Sequence, residues 1–386
     1  MKIGIVCFPT YGGSGAVAAE LGMELANLGH KVHFISYELP FRLSHFHENI
    51  FFHEVNVSDY PLFEFPPYES VLASKIVDVA IYEEIDLLHV HYAIPHASVA
   101  WMAQQILHSK KIRLPYITTL HGTDITLVGK DRSFEPIIRF SLNKSNAITA
   151  VSESLKRETL EVFKIDNKIH LIPNFIDTKE YDRGKTRCIR KNLNIPDIPV
   201  IVHISNFRKV KRIGDVMKIF FQVRKHLRCM LILAGDGPDR NMAEEMARRS
   251  EYRKDIIFLG HIPHPKELLC IADLFLLPSE TESFGLSALE ALSMSVPVIS
   301  SNQGGLPEVN VHNQTGFLFK PGEVELMAES ALYILSNKAV LDKFRTNARK
   351  QAMKFDKSKI IPKYLELYNQ VLNTNKRIQK IKSPKI

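Results

Sequence analysis

Ser279-Glu280-Thr281-Glu282-Ser283-Phe284-Gly285-Leu286-Ser287-Ala288-Leu289-Glu290-Ala291 follows a short apolar run at 274–278. A run of that length suits a buried strand. Phe284-Gly285-Leu286 can then turn the chain into a helix whose free N–H groups face an anion. Glu290 falls about one turn into that helix, and Glu282 lies in the loop before it. Strand, glycine turn and helix in this order are part of a βαβ unit, so the stretch predicts a parallel sheet. Two glutamates at this spacing alone would be ordinary surface residues. Their standing depends on what surrounds them.

Outward from this stretch the same alternation recurs. Strand-like runs at 200–205, 230–234, 256–259 and 298–300 are separated by helix-like segments at 213–226, 241–249, 265–272 and 286–292. An earlier set has strands at 2–8, 31–36, 87–91, 116–120 and 147–150, with helices at 15–28, 67–84, 98–108 and 134–143. Two successive sets predict an α/β chain with two Rossmann-like, doubly wound parallel sheets. The polar, Pro-containing region 178–199 is the expected boundary. The domains are therefore expected at 1–177 and 178–358. Ligands of such sheets bind at the carboxyl ends of the strands, which leads to the expectation of a cleft between the two.

Composition agrees with this organisation. The chain has 386 residues, 45% of them hydrophobic and 24% charged, which suits two globular domains rather than disorder. No run reaches the 18 apolar residues of a membrane span. Met1-Lys2-Ile3-Gly4-Ile5-Val6-Cys7 reads as a strand, not a secretory leader. Cys7, Cys188, Cys229 and Cys270 are far apart and have no metal-type spacing, so reduced thiols in a cytoplasmic protein are expected. The net charge of +8 favours anionic partners without choosing among them. The basic tail after Asn375 reads as a solvated surface.

Further loops fall at the carboxyl ends of expected strands. Ser205-Asn206-Phe207-Arg208-Lys209-Val210-Lys211-Arg212 offers Arg208 and Lys211 to paired phosphate oxygens. Gly235-Asp236-Gly237-Pro238 is a tight turn, and Asn302-Gln303-Gly304-Gly305-Leu306-Pro307-Glu308 another close-approach loop. In the first half, Gly12-Gly13-Ser14-Gly15 lets the backbone approach a ligand at a helix start. Its order departs from the G-x-G-x-x-G of dinucleotide sites, although Glu38 stands about where a ribose-binding acid belongs. His121 in Leu120-His121-Gly122-Thr123-Asp124 can donate a hydrogen bond. His89, His91 and His96 lie close together, and alternation places His89 and His91 on one strand face. No cysteine or helical histidine pair accompanies them, so they are not read as a metal site.

These residues together resemble the two-domain, retaining GT-B glycosyltransferases of the E-x7-E type along nearly the whole chain. The Gly12–15 turn, His121-Gly122-Thr123-Asp124, Pro173-Asn174-Phe175-Ile176-Asp177 and the second-half loops carry the resemblance. It narrows at Pro40-Phe41-Arg42-Leu43, His53-Glu54-Val55, Leu72-Ala73-Ser74-Lys75, His89-Val90-His91-Tyr92-Ala93-Ile94-Pro95-His96 and Val202-His203-Ile204-Ser205. These look like the members that pass N-acetylglucosamine from UDP-N-acetylglucosamine to L-malate at the opening of bacillithiol biosynthesis.

The resemblance implies the rest. The donor would be held by Gly13, Ser205, Asn206, Arg208, Lys211, Gly235, Glu282, Ser283, Phe284, Gly285, Leu286 and Glu290. Glu290 would take the ribose hydroxyls, with His121 and Glu282 on the sugar at the reacting centre. Ser14, Tyr92, Thr119 and Arg139 would contact malate. No metal or other cofactor is expected, the UDP-sugar being a substrate. The C-terminal helix, about 359–386, is expected to pack back on the first domain. The resemblance implies no nucleic-acid partner and leaves room for a homodimer. Three alternatives stay open: the same fold with a lipid or polysaccharide acceptor, a nicotinamide-dependent oxidoreductase, and a non-catalytic sugar-nucleotide binder.

Overall fold

Short apolar strands alternating with amphipathic helices build two separate parallel sheets, one in each of two units. The structure, a computed structural model, describes residues 1–382 apart from Tyr11, 44–45, 58–63, 128–130 and 263–264. For 375–382 it describes the backbone alone, so the side chains of the basic tail lie outside the described residues.

The first unit comprises Met1–Pro173 and Ser358–Ile386. Its elements are β1 (Lys2–Val6), α1 (Gly13–Asn27), β2 (Lys31–Ser36), β3 (Ile50–Glu54), α2 (Tyr68–Tyr82), β4 (Leu87–His91), α3 (Ser98–Ser109), β5 (Tyr116–Leu120), α4 (Glu135–Lys144), β6 (Ala147–Ala150), α5 (Glu153–Phe163) and β7 (Ile169–Leu171). The strand order is β3-β2-β1-β4-β5-β6-β7, parallel throughout. Chain order reverses between β1 and β4, which makes that pair the switch point where ligands bind in such sheets. Of the five inner strands, those read at 31–36, 87–91, 116–120 and 147–150 coincide with β2, β4, β5 and β6, and the run read at 2–8 contains β1. The edge strands β3 and β7 had no reading, because neither shows a buried apolar run. β3 is only partly buried along its length, and β7 has three residues.

The second unit is Asn174–Lys357. It contains β8 (Val200–Ile204), α6 (Ile213–His226), β9 (Met230–Ala234), α7 (Arg240–Arg249), β10 (Ile256–Gly260), α8 (Pro265–Leu269), β11 (Leu274–Leu277), α9 (Leu286–Ser293), β12 (Val298–Ser301), α10 (Leu306–Val309), β13 (Gly316–Phe319), α11 (Val324–Leu335) and α12 (Lys338–Ala352). Its order, β10-β9-β8-β11-β12-β13, places the switch point between β8 and β11. The core on one face packs Phe207, Leu231, Leu233 and Leu276 against Phe220 of α6 and against α11 and α12, the five named side chains fully buried. Removing one such phenylalanine side chain costs about 3–5 kcal/mol.

The final helix, α13 (Lys357–Lys382), belongs almost entirely to the first unit. Tyr364 and Tyr368 are fully buried there, and Tyr368 Oη lies 2.7 Å from His89 Nδ1. The chain leaves the first unit at Pro173, four residues ahead of 177. The reason is local pairing. Ile176 N–H donates to Phe355 O at 3.0 Å, Lys357 N–H donates to Ile176 O at 2.9 Å, and the Thr178 hydroxyl donates to Asp356 Oδ2 at 2.5 Å.

One expectation from the sequence is corrected. Cys188 and Cys270 are joined in a disulfide, with Cα atoms 5.3 Å apart. Their separation of 82 residues hid the pairing. The segment after Tyr181 runs back along α8, as the Ile189 N–H bond to Glu267 O records. Cys7 and Cys229 are free and buried. Among the described residues no helix is long and apolar enough to cross a membrane.

Candidate active site

Both groups of candidate residues gather at the switch points of their own sheets. In the second unit the loop after β8 meets the loop after β11. Lys211 Nζ lies 2.5 Å from Glu282 Oε1, and Ser279 Oγ donates to the same oxygen at 2.9 Å. The pair is only 20% and 13% exposed, so the ion pair is screened less than a surface one. Arg208 is exposed nearby in sequence, at the start of the one-turn helix Lys209–Lys211. Ser205 Oγ is 2.7 Å from His203 Nε2, and the Asn206 Oδ1 is buried without a protein partner. Gly235 ends β9 against the Ser205 carbonyl.

Glu282 is held from below by its backbone. Gly305 N–H donates to Glu282 O at 2.8 Å. Gly304 has φ +59°, and a Cβ there would stand 2.0 Å from that same carbonyl, so only glycine lets the loop close over it. Ser283 and Phe284 complete the turn, with Phe284 buried and edge-on to Phe355 at 5.6 Å. Gly285 caps α9, and Leu286 is its first residue. Glu290, the fifth residue of α9, is 5% exposed. Tyr181 Oη donates to its Oε1 at 3.3 Å. Tyr181 went unnoticed in the sequence because it lies in an irregular segment with no period to mark it. The Glu282/Glu290 spacing thus places one carboxylate on a lysine in the loop before α9 and the other beside a tyrosine in the second turn of that helix.

In the first unit the loops after β1 and β4 meet at the other switch point. Ser14 Oγ, in the first turn of α1, is 2.7 Å from Tyr92 Oη. Gly13 opens the same turn. A Cβ at Gly15 would stand 2.5 Å from Thr10 O, so the tight β1–α1 turn requires glycine there. Tyr92 has φ +93°, a strained value for a tyrosine that concentrates at functional sites.

Behind it runs a chain of polar contacts. His89 Nε2 is 2.6 Å from Thr119 Oγ1, which is 2.6 Å from Thr149 Oγ1. Thr119 is fully buried, so its hydroxyl is engaged within the sheet. His91 Nδ1 lies 2.8 Å from His121 Nε2, the rings 5.0 Å apart and nearly parallel. Burial pushes the ring pKa of His89 and His121 down to about 3, which keeps both neutral. Asp124 is buried and accepts the Ala93 N–H at 2.8 Å and the Gly122 N–H at 3.0 Å. Its pKa is raised to about 6, burial outweighing those bonds.

Arg139 stands apart from this group. It is half exposed on α4 and pairs with Glu135 at 3.4 Å, as a helix-surface arginine commonly does. His89 and His91 do share a strand face, as alternation requires. Their ring nitrogens, however, bond Tyr368, Thr119 and His121 rather than converging on one point.

Residues 185–351 match the profile of glycosyl transferases group 1, and 11–180 match glycosyltransferase family 4. The chain is 42% identical over 378 residues to N-acetyl-alpha-D-glucosaminyl L-malate synthase of Bacillus anthracis, covering 97% of this chain and 98% of that one. It is 27% identical to 2-deoxystreptamine N-acetyl-D-glucosaminyltransferase of Niallia circulans, over 74% of this chain and 76% of the other. A glycosyltransferase from Rickettsia africae superposes with a TM-score of 0.79 at 23% identity, covering 96% and 98%. Anabaena HepE, solved with UDP and glucose, superposes at 0.80 with 20% identity, covering 96% and 99%. At such identities the two structures speak for the fold, which is GT-B. By its full-length identity the chain belongs to the group 1 glycosyltransferase family that includes N-acetyl-alpha-D-glucosaminyl L-malate synthase.

Proposed function

We propose that this chain transfers N-acetylglucosamine from UDP-N-acetylglucosamine to the hydroxyl of L-malate with retention at the anomeric carbon. The products are N-acetyl-α-D-glucosaminyl L-malate and UDP, the first step of bacillithiol biosynthesis. The observation that carries the donor half is the Lys211–Glu282–Ser279 cluster beside Glu290 at the β8/β11 switch point. The full-length relative supports the acceptor half.

Arg208 and Lys211 neutralise the diphosphate as it takes up the negative charge of the leaving group. That is a metal's electrostatic work, so the reaction asks for no metal. Glu290 receives the ribose hydroxyls, and Glu282 with the following loop receives the sugar hydroxyls. His121, neutral and held by His91, donates or accepts one hydrogen bond to the sugar without bringing a charge. Ser14, Tyr92 and Arg139 serve malate, and Thr119 serves it through Tyr92, whose N–H its carbonyl accepts at 2.9 Å. Arg139 supplies the cationic clamp a dicarboxylate needs, once released from Glu135.

The malate oxygen bonds to the anomeric carbon on the face from which the bond to the β-phosphate oxygen breaks. That phosphate oxygen takes the hydroxyl proton, and UDP leaves. Neither carboxylate is a nucleophile, and the pair grips the donor rather than working as a glycosidase couple. A cytoplasmic setting suits this chemistry.

The test is incubation with UDP-N-acetylglucosamine and L-malate, followed by mass spectrometry and NMR of the anomeric proton. An α-linked malate glycoside with stoichiometric UDP is expected. A β-linked product would overturn the mechanism. UDP release indifferent to malate would overturn the acceptor.

A further inference from the structure

On the flank of the first sheet, outside every group assigned to the substrates, two histidines and a glutamate converge. His33 lies on β2 and His53 on the edge strand β3. The register pairs His33 with Phe51 and Ile35 with His53, so both imidazoles project from the same face. Ile35 and Val55 on that face pack against α2, and Glu83 is the residue that caps the C-terminus of α2. The strand register and the end of the covering helix thus deliver three potential ligands to one point. One ligand atom from each lies within 4.8 Å of both others.

The internal geometry fits a shared ion. His33 Nδ1 and His53 Nε2 are 3.0 Å apart. Two imidazole nitrogens on one tetrahedral zinc stand about 3.3 Å apart, given bonds of about 2.0 Å. The rings are stacked at 5.2 Å, and Phe51 stacks on the other side of His33 at 4.7 Å, which locks its orientation.

We propose that His33, His53 and Glu83 form a binding site for one divalent transition-metal ion of the zinc class. Two nitrogen ligands and one carboxylate favour such an ion over magnesium or calcium, which take oxygen. The fourth position is open to water. Lys2 and Lys31 near His33, and Lys75 near His53, oppose a cation there. The negative charge of Glu83 is therefore as necessary as the two nitrogens. The ion would clamp the edge strand β3 to β2 and to the end of α2. It takes no part in sugar transfer, so the proposal stands independently of the reaction assigned above.

The experiment uses the full-length protein stripped with a chelator and titrated with Co²⁺. A visible absorption band of tetrahedral cobalt is expected to saturate at one equivalent and to collapse on adding Zn²⁺. His53→Gln and the more exposed Glu83→Gln should each weaken binding more than tenfold while leaving the far-UV circular dichroism intact. The absence of a saturating band at one equivalent in the unaltered protein would overturn the proposal. So would a band retained at unchanged affinity in both variants, which would place the ion among other histidines.

Discussion

Lys211 and Glu282 meet at 2.5 Å where the loops after β8 and β11 come together. The ammonium is thus already placed at the switch point, and its charge is balanced by the carboxylate expected to hold the sugar. A diphosphate arriving there competes for the lysine and frees Glu282 for hydroxyl groups. Lys211→Met should lower kcat/KM by about 100- to 1000-fold, the scale for losing one preorganised charge-stabilising donor. Combining it with Glu282→Gln should cost much less than the product of the two single losses, because the residues act as a unit. Steady-state kinetics on the three variants checks this. Fully multiplicative losses would separate the residues.

Glu290 offers a gentler test. Tyr181 donates to it at 3.3 Å, within the second unit and away from any bond made or broken. Tyr181→Phe should raise the KM for the UDP-sugar about five- to tenfold, about what one hydrogen bond of roughly 1 kcal/mol supplies, and leave kcat nearly unchanged. A fall in kcat at constant KM would instead mean that Glu290 works mainly in the transition state.

The difference between Glu290 and Tyr181 shows what a sequence can reveal here. Glu290 stood out because a strand, a glycine turn and a helix start have fixed spacings, and those spacings bring chemistry to the strand ends. The inner strands, buried on both faces, were legible for the same reason as near-continuous apolar runs. Tyr181, the edge strands β3 and β7, and the Cys188–Cys270 pairing depend on how distant segments settle on one another. No local period records that. Thr119 and Arg139 enter through the family resemblance alone. The complete burial of Thr119 and its bonds to His89 and Thr149 come from packing, and Arg139 is paired with Glu135 on a helix surface.

The cysteines give a counting experiment. Cys7 and Cys229 are buried, and burial raises both thiols to about 12. Neither should react in the native protein, since the thiolate is the reactive form. Protein denatured without reductant should titrate two thiols with a chromogenic disulfide. After reduction it should titrate all four cysteines of the chain. Four thiols before reduction would mean that the Cys188–Cys270 bond is open in that preparation.

Tyr368 joins the last helix to the candidate acceptor residues. Its hydroxyl contacts His89, and His89 contacts Thr119. Tyr368→Phe removes one buried hydrogen-bonding group and leaves His89 Nδ1 unmatched, a loss of about 1–3 kcal/mol in stability. A purely structural role would stop there. If the contact also orients Thr119, the KM for malate rises several-fold while the KM for the UDP-sugar does not. Measuring both constants in the same variant separates the two outcomes.

The buried imidazoles fix the direction of the pH response. Burial lowers the pKa of His89 and His121 to about 3 and of His96 and His203 to about 4. In the unfolded chain each returns to about 6.5. Between these limits the unfolded state binds protons that the folded state does not, so stability falls as pH drops below about 6.5. Asp124 works the other way. Its pKa of about 6 in the folded protein exceeds the unfolded value of about 3.9, so protonation below pH 6 favours the fold. These four imidazoles, together with His33 and His91, which burial lowers as well, outweigh one carboxyl, and each excess proton is worth about 1.4 kcal/mol per pH unit. Denaturant unfolding at pH 7, 6 and 5 should therefore show a free energy that declines with a slope of more than one proton. His203→Gln, which removes the one of them in the second unit, should flatten it. A free energy constant from pH 7 to 5 would mean that these rings are reached by protons without unfolding.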